Sequence, residues 1–192
     1  MGCDIHMYVE KKRNGKWMNA QSVLKLYEDS PPDVPHSDSF YSDRNYEVFG
    51  FIAGVRREDL QYFEAKGFPK DACAEVKALY EDWGCDAHTP SYLTLGELQE
   101  AQTNCKERTI KESGMMDKKQ WAMMQKEIKK KEPNWSKRFP YCAETTCENY
   151  VPFELNVPIA EVFKLDKWTW KLKGYDFSCG DAELRIVFWF DN

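Results

Sequence analysis

Met1-Gly-Cys-Asp-Ile-His-Met-Tyr-Val-Glu10 reads as a β-strand. Side chains alternate faces along a strand. Cys3, Ile5, Met7 and Val9 therefore form one mostly apolar face, suited to a core, and Asp4, His6, Tyr8 and Glu10 form a polar, ionisable one. Asn14-Gly15 follows. Both residues tolerate positive φ, so the pair predicts a two-residue hairpin turn, with Lys16-Trp17-Met18 returning beside the first strand. The Asp4/His6 end then lies far from the turn, at the open end of the hairpin.

The far end of the chain answers this strand. Over residues 183–190, Leu184, Ile186, Phe188 and Phe190 face one way, while Val187 and Trp189 share the other face with Arg185. Apolar residues on both faces predict a central strand. Asp191 puts a carboxylate at its C-terminal end.

Between these strands the patterns are mostly helical. Ser42 or Asp43 is placed to cap a helix over 43–55, with Tyr46, Phe49, Ile52 and Ala53 as its apolar stripe and Gly50 and Gly54 allowing a neighbouring strand to approach. A second helix spans 71–83 and is closed by Gly84. Residues 85–90 read as a loop, and Thr94-Leu95-Gly96-Glu97 is a capping box that opens a helix over 95–106. Residues 104–139 are dense in Lys and Glu. Met116, Trp121, Met124 and Ile128 give them a thin apolar stripe, the pattern of a charged helical arm. Residues 23–27 are a short apolar piece, and 30–42 a proline-rich loop carrying His36. Residues 140–163 are extended, and 168–173 read as a strand. The expectation is a single α+β domain over 1–192, with a helical insertion at about 104–139. A small mixed or antiparallel sheet, built from the N-terminal hairpin and the C-terminal strands, is covered by helices.

Composition bounds the function. The net charge of −5 argues against broad nucleic-acid binding, which needs a basic footprint, although it leaves room for a local basic patch. Seven cysteines, an odd number, occur without a basic-then-apolar leader. Free thiols in a reducing cytoplasm are the simpler expectation, and Cys142 and Cys147 are spaced too loosely for a zinc pair. No apolar run approaches the roughly 20 residues that span a bilayer. Gly-rich phosphate loops, nucleophile elbows and dinucleotide fingerprints are missing.

The chemistry concentrates in one repeated string. Cys3-Asp4-Ile5-His6 is echoed by Cys85-Asp86-Ala87-His88, and these two histidines are two of the three in the chain. Three readings stand side by side. Asp4, His6, Asp86 and His88 supply the oxygen and nitrogen donors of a divalent metal site, for zinc or manganese. Without metal, either aspartate orients a histidine for acid–base catalysis. Or a hydrogen-bonded pair merely holds the N-terminus against the 84–90 loop. Arg44 and Asn45 fall in the first turn of a helix, where free N–H groups favour an anion.

Several stretches together resemble a family of uncharacterised phage and prophage proteins that open with Met-Gly-Cys-Asp-Ile-His. They are the opening string, Arg44-Asn45-Tyr46 with Ala53-Gly54-Val55-Arg56, Asp86-Ala87-His88 with Ser91-Tyr92-Leu93-Thr94, and the closing Arg185-Ile186-Val187-Phe188-Trp189-Phe190-Asp191-Asn192. The resemblance does not reach the charged arm, and Tyr92 stands where the family carries Trp. It implies an accessory protein acting in a bacterial host cytoplasm, and it implies no reaction. The leading expectation is a polar pocket that binds, and in its fuller form hydrolyses, a phosphate-containing small molecule such as a nucleotide. Asp4, His6, Asp86 and His88 would form its centre, and Arg44, Asn45 and Ser91 would hold the ligand. The alternative is a non-catalytic anti-defence or host-takeover protein that inhibits a bacterial protein by direct binding, with the 104–139 arm as its working surface.

Overall fold

The computed structural model describes residues 2–22, 33–35, 38–105, 107–135 and 149–191. The fold is α+β, as expected. The chain divides into two compact units, one of Met1–Thr103 with Phe163–Asn192, the other of Asn104–Val162.

The first unit is built on a four-stranded antiparallel sheet. Its strands are β1 (Asp4–Arg13), β2 (Lys16–Asn19), β3 (His88–Thr94) and β6 (Leu184–Asp191), in the order β2-β1-β6-β3. The hairpin turn is the expected one, with Asn14 at φ 51° and Gly15 at φ 77°. β6 lies between β1 and β3, so both its edges are paired. Every residue from Leu184 to Phe190 is buried. Registration sets Asp4 opposite Asp191, His6 opposite Trp189 and Glu10 opposite Arg185.

The two faces carry different cores. On one, Tyr8, Val187 and Trp189 pack with Cys73, Val76 and Leu79 of α2 (Ala74–Trp83) and its lead-in. On the other, Phe190 meets Phe49 of α1 (Tyr46–Ala53), with ring centroids 5.1 Å apart. A buried ion pair ties β1 to β6 within the first face. Arg185 Nε donates to Glu10 Oε2 at 2.6 Å, and Glu10 Oε1 accepts the backbone N–H of Cys73 at 2.6 Å. Arg185 also reaches Asp71 at 2.9 Å and lies over the Trp17 ring.

Several local expectations hold. The Thr94–Glu97 capping box opens α3 (Leu95–Asn104), with Thr94 N–H donating to Glu97 at 2.9 Å and Glu97 N–H donating to Thr94 Oγ1 at 3.2 Å. α1 begins three or four residues later than the expected caps, because Asn45 caps it: its Oδ1 accepts from the N–H groups of Glu47 and Val48. Gly54, at φ 72°, closes α1 in the left-handed conformation that favours glycine. The close approach at Gly50 is to the Arg57 backbone in the following turn rather than to a strand.

Three expectations are corrected. Residues 88–90 are not a loop: they begin β3, after a short 3-10 turn over Gly84–Asp86. Pro90 suggested otherwise, but β3 is an edge strand, and the register slips between His88 and Ser91, a place where proline is tolerated. Residues 168–173 are not a strand but part of α6 (Leu165–Tyr175). The buried set Leu165, Trp168 and Leu172 follows helical spacing, and it overrides the short alternation of Trp168-Thr-Trp170.

The third correction concerns residues 104–139, which are not a purely helical arm. The second unit pairs β4 (Thr109–Asp117) antiparallel with β5 (Tyr150–Pro158), and α4 (Lys118–Glu127) follows β4 directly. Met116 is a strand residue there, whereas Trp121 and Met124 are helical. The extended character expected near 150–158 is present in β5. α5 (Ile159–Phe163) completes the elements. The expected pieces at 23–27, His36 and the Cys142/Cys147 pair lie outside the described residues.

Candidate functional site

The open end of the β1/β6 pair gathers the polar groups singled out in the sequence, but the sheet divides them. His6 pairs with Trp189 and shares its face. Its ring packs, tilted, against Trp83 at 4.1 Å and stacks on Trp189 at 5.9 Å. His88 pairs with Phe190 and shares the opposite face, with its ring 5.8 Å from that phenyl. The two histidines therefore do not share one pocket, because β1 and β3 deliver them to opposite sides of β6. The four-ligand centre of Asp4, His6, Asp86 and His88 is not assembled. Asp86 sits exposed in the 3-10 turn, where its neighbour is the Cys85 thiol. Among the described residues, no group of three or more His, Cys, Asp or Glu side chains is arranged to hold a metal ion.

On the His6 side, Asp191 is the organising carboxylate. Its Oδ1 accepts the Asp4 N–H at 2.9 Å, and its Oδ2 lies 3.4 Å from His6 Nε2. Asp4 instead meets Arg44, which grips both its oxygens, Nε donating at 2.7 Å. This guanidinium holds the Asp4 carboxyl below its usual range. Arg44 also packs over Gly2, where a Cβ would overlap it. Arg44 is thus already paired with an anion of the chain itself, and Asn45 is used as a helix cap. Ser91 is fully buried, its Oγ accepting the N–H of Lys66 at 3.1 Å, so it positions backbone rather than meeting a ligand. A cavity of about 460 Å3 runs beside residues 5–8 of β1, lined also by Asp33, Ser39, Tyr41 and Ser42.

The His88 side is built differently. A cleft of about 450 Å3 is lined by Gly54, Arg56, Glu58, Gln61, His88 and Thr89 among others. Two elements make it: the turn after α1, and the first residues of β3. Arg56 and Thr89 both have positive φ, 63° and 48°. Only four non-glycine residues do so among the described residues, and two of them line this cleft. Left-handed backbone at ordinary residues costs on the order of 1 kcal/mol or more, and it persists where surrounding structure enforces it, often at functional sites.

Cys3 is buried beside His88. Its Sγ lies 3.9 Å from His88 Nε2, and His88 Nδ1 lies 3.0 Å from Thr89 Oγ1. Burial raises the Cys3 thiol, and the adjacent Arg56 only partly offsets that. A buried thiol held protonated is a poor nucleophile. As the strand alternation required, Cys3 points away from His6.

Arg56, Glu58, Gln61 and Thr89 were not nominated from sequence. The one signal was Gly54 after a helical run, which predicts a sharp turn and exposes the residues beyond it. No family model, no curated protein and no solved structure matches the chain.

Proposed function

We propose that the first unit binds a phosphate-containing small molecule, such as a nucleotide, in the cleft between the turn after α1 and the start of β3. The observation that carries this reading is the meeting of Arg56, His88 and Thr89 in one cleft on two strained backbone positions. A guanidinium, an imidazole and a hydroxyl are donors suited to phosphoryl oxygens. Glu58 and Gln61 also line the cleft and add acceptors for the sugar or base side of such a ligand, the Gln61 amide nitrogen donating to the Phe63 carbonyl oxygen at 3.1 Å. Arg56 takes the anion-holding role in this reading, since it lines the cleft together with His88 and Thr89.

Binding is better supported than hydrolysis. His88 has a thiol and a hydroxyl beside its ring nitrogens rather than an orienting carboxylate. A divalent ion, zinc or manganese, enters the proposal only through His6 and Asp191, whose nitrogen and oxygen stand 3.4 Å apart. The protein would act as a phage or prophage accessory protein in a bacterial cytoplasm.

Titration calorimetry with inorganic phosphate, AMP, ATP and GTP tests the proposal. Binding to at least one nucleotide is expected, weakened ten-fold or more by Arg56→Ala and by His88→Ala. Affinities in both variants equal to that of the wild type, or no binding at millimolar ligand, refute it. For the metal, a rise in melting temperature with zinc or manganese that His6→Ala abolishes supports a site, and no shift removes it.

A second reading, direct inhibition of a bacterial protein in host takeover or anti-defence, has one specific observation in its favour. Trp170 and Phe177 are 74% and 69% exposed in the first unit. Exposed aromatics of this size are the usual anchors of protein interfaces. Loss of a captured partner on Trp170→Ala with Phe177→Ala, nucleotide binding being unchanged, would favour it.

A further inference from the structure

The second unit carries a charge pattern that runs against the acidic chain as a whole. From 118 to 132 there are six lysines and two glutamates. Glu127 is buried, where its carboxylate takes Lys130 Nζ at 2.9–3.0 Å and the N–H of Asn134 at 3.1 Å. What α4 turns to solvent is therefore basic. Lys118, Lys119, Ala122, Met123 and Lys126 are all exposed and fall on one helical face, while Met124 and Glu127 are buried on the other. Lys129 and Lys131 extend the exposed cations beyond the helix end, while Lys130 is paired with Glu127.

Two of these lysines stand where helix electrostatics disfavours them. Lys118 and Lys119 occupy the first turn of α4, which contains no acidic residue. The helix dipole prefers anions there. Asp117 satisfies the cap, accepting the N–H groups of Lys119 and Gln120, but it leaves the lysine charges pointing outward. Local rules of this kind are broken at functional sites.

We infer that this face of α4 is a docking surface for the phosphate backbone of a nucleic acid. The composition of the face selects that partner over an acidic protein. Lysine is depleted at protein–protein interfaces, where aromatics, arginine and methionine are enriched, and of these the face has only Met123. Lys119 and Lys126 are separated by about 10 Å along the helix, so each reaches a different phosphate of one strand. Lysines contact phosphates as point charges and read no bases, so the binding is sequence-independent.

Fluorescence anisotropy of the full chain with labelled 20-nucleotide single strands and 20-base-pair duplexes, at 50 and 200 mM salt, tests this. Binding is expected at 50 mM salt. If about four phosphates of a duplex are neutralised, affinity falls roughly 150-fold by 200 mM. The variant K118E/K119E/K126E should abolish binding, and K118Q/K119Q/K126Q should weaken it and flatten the salt slope. Circular dichroism melting of each variant checks that it is folded, and the glutamine variant keeps the test open if charge reversal unfolds the unit. No binding at 50 mM salt, or equal affinity in the glutamine variant, overturns the inference. Binding to polyglutamate but to no nucleic acid overturns it in favour of an acidic protein partner. Nucleotide binding in the first unit should be unchanged in these variants, so the two proposals fail separately.

Discussion

Replacing Arg185 by Met tests the pin at the centre of the first unit. Arg185 and Glu10 face each other across β1 and β6, with side chains 3% and 0% exposed. With the charges about 4 Å apart and an effective dielectric near 20, their attraction is about 4 kcal/mol. Removing the cation strands the Glu10 carboxylate in the interior, where the N–H of Cys73 still donates to it but no opposite charge faces it across the strands. Arg185 also stacks on Trp17, its guanidinium carbon 3.8 Å from the ring centroid, and donates to Asp71. The expected cost is about 3–5 kcal/mol, most of it the unpaired carboxylate. Because the penalty lies in the orphaned charge, Glu10→Met added to Arg185→Met should recover much of the loss. Equilibrium urea unfolding, followed by tryptophan fluorescence and by far-ultraviolet circular dichroism, completes the double-mutant cycle. A cost below about 1 kcal/mol for Arg185→Met, or a double variant no more stable than the single one, would refute the reasoning.

Other expectations follow from single contacts. Gly50→Ala places a Cβ 2.5 Å from the Arg57 Cβ and carbonyl oxygen, and backbone cannot yield there. A loss of about 1–3 kcal/mol is expected in thermal unfolding, and a neutral substitution would show that the turn after α1 is soft. His6→Ala should cost about 1–2 kcal/mol through lost ring packing against Trp83 and Trp189, more than a solvent-facing histidine would. Burial pushes the Cys73 thiol up to about 12, above its unfolded value near 9. A proton is then held by the folded form and lost by the unfolded one as pH rises, so stability should fall between about pH 9 and pH 12. Cys73→Ala should flatten that alkaline slope in denaturant titrations, and an unchanged slope would count against it.

Local sequence alone was enough to predict the hairpin at Asn14-Gly15, the interior strand ending at Asp191 and the capping box at Thr94. Each depends on neighbours in sequence: a turn that needs positive φ, a run apolar on both faces, a hydroxyl three residues before a carboxylate. The two faces of β1 were equally legible, since period 2 is a local property. Which strand lay beside β1, and therefore that Glu10 would meet Arg185 and Asp4 would meet Asp191, depends on register between residues some 175 apart or more. The repeated Cys-Asp-x-His string suggested one centre because similarity in sequence says nothing about which face a distant strand presents. β6 stands between the two copies, and a single residue of bulge in β3 decides the side from which His88 emerges. The candidate cleft was hidden for the same reason. Arg56 and Thr89 became neighbours of one cavity only when β3 added to the edge of β6 beside the turn after α1, and pairing of that kind is a long-range event that no window of local sequence encodes.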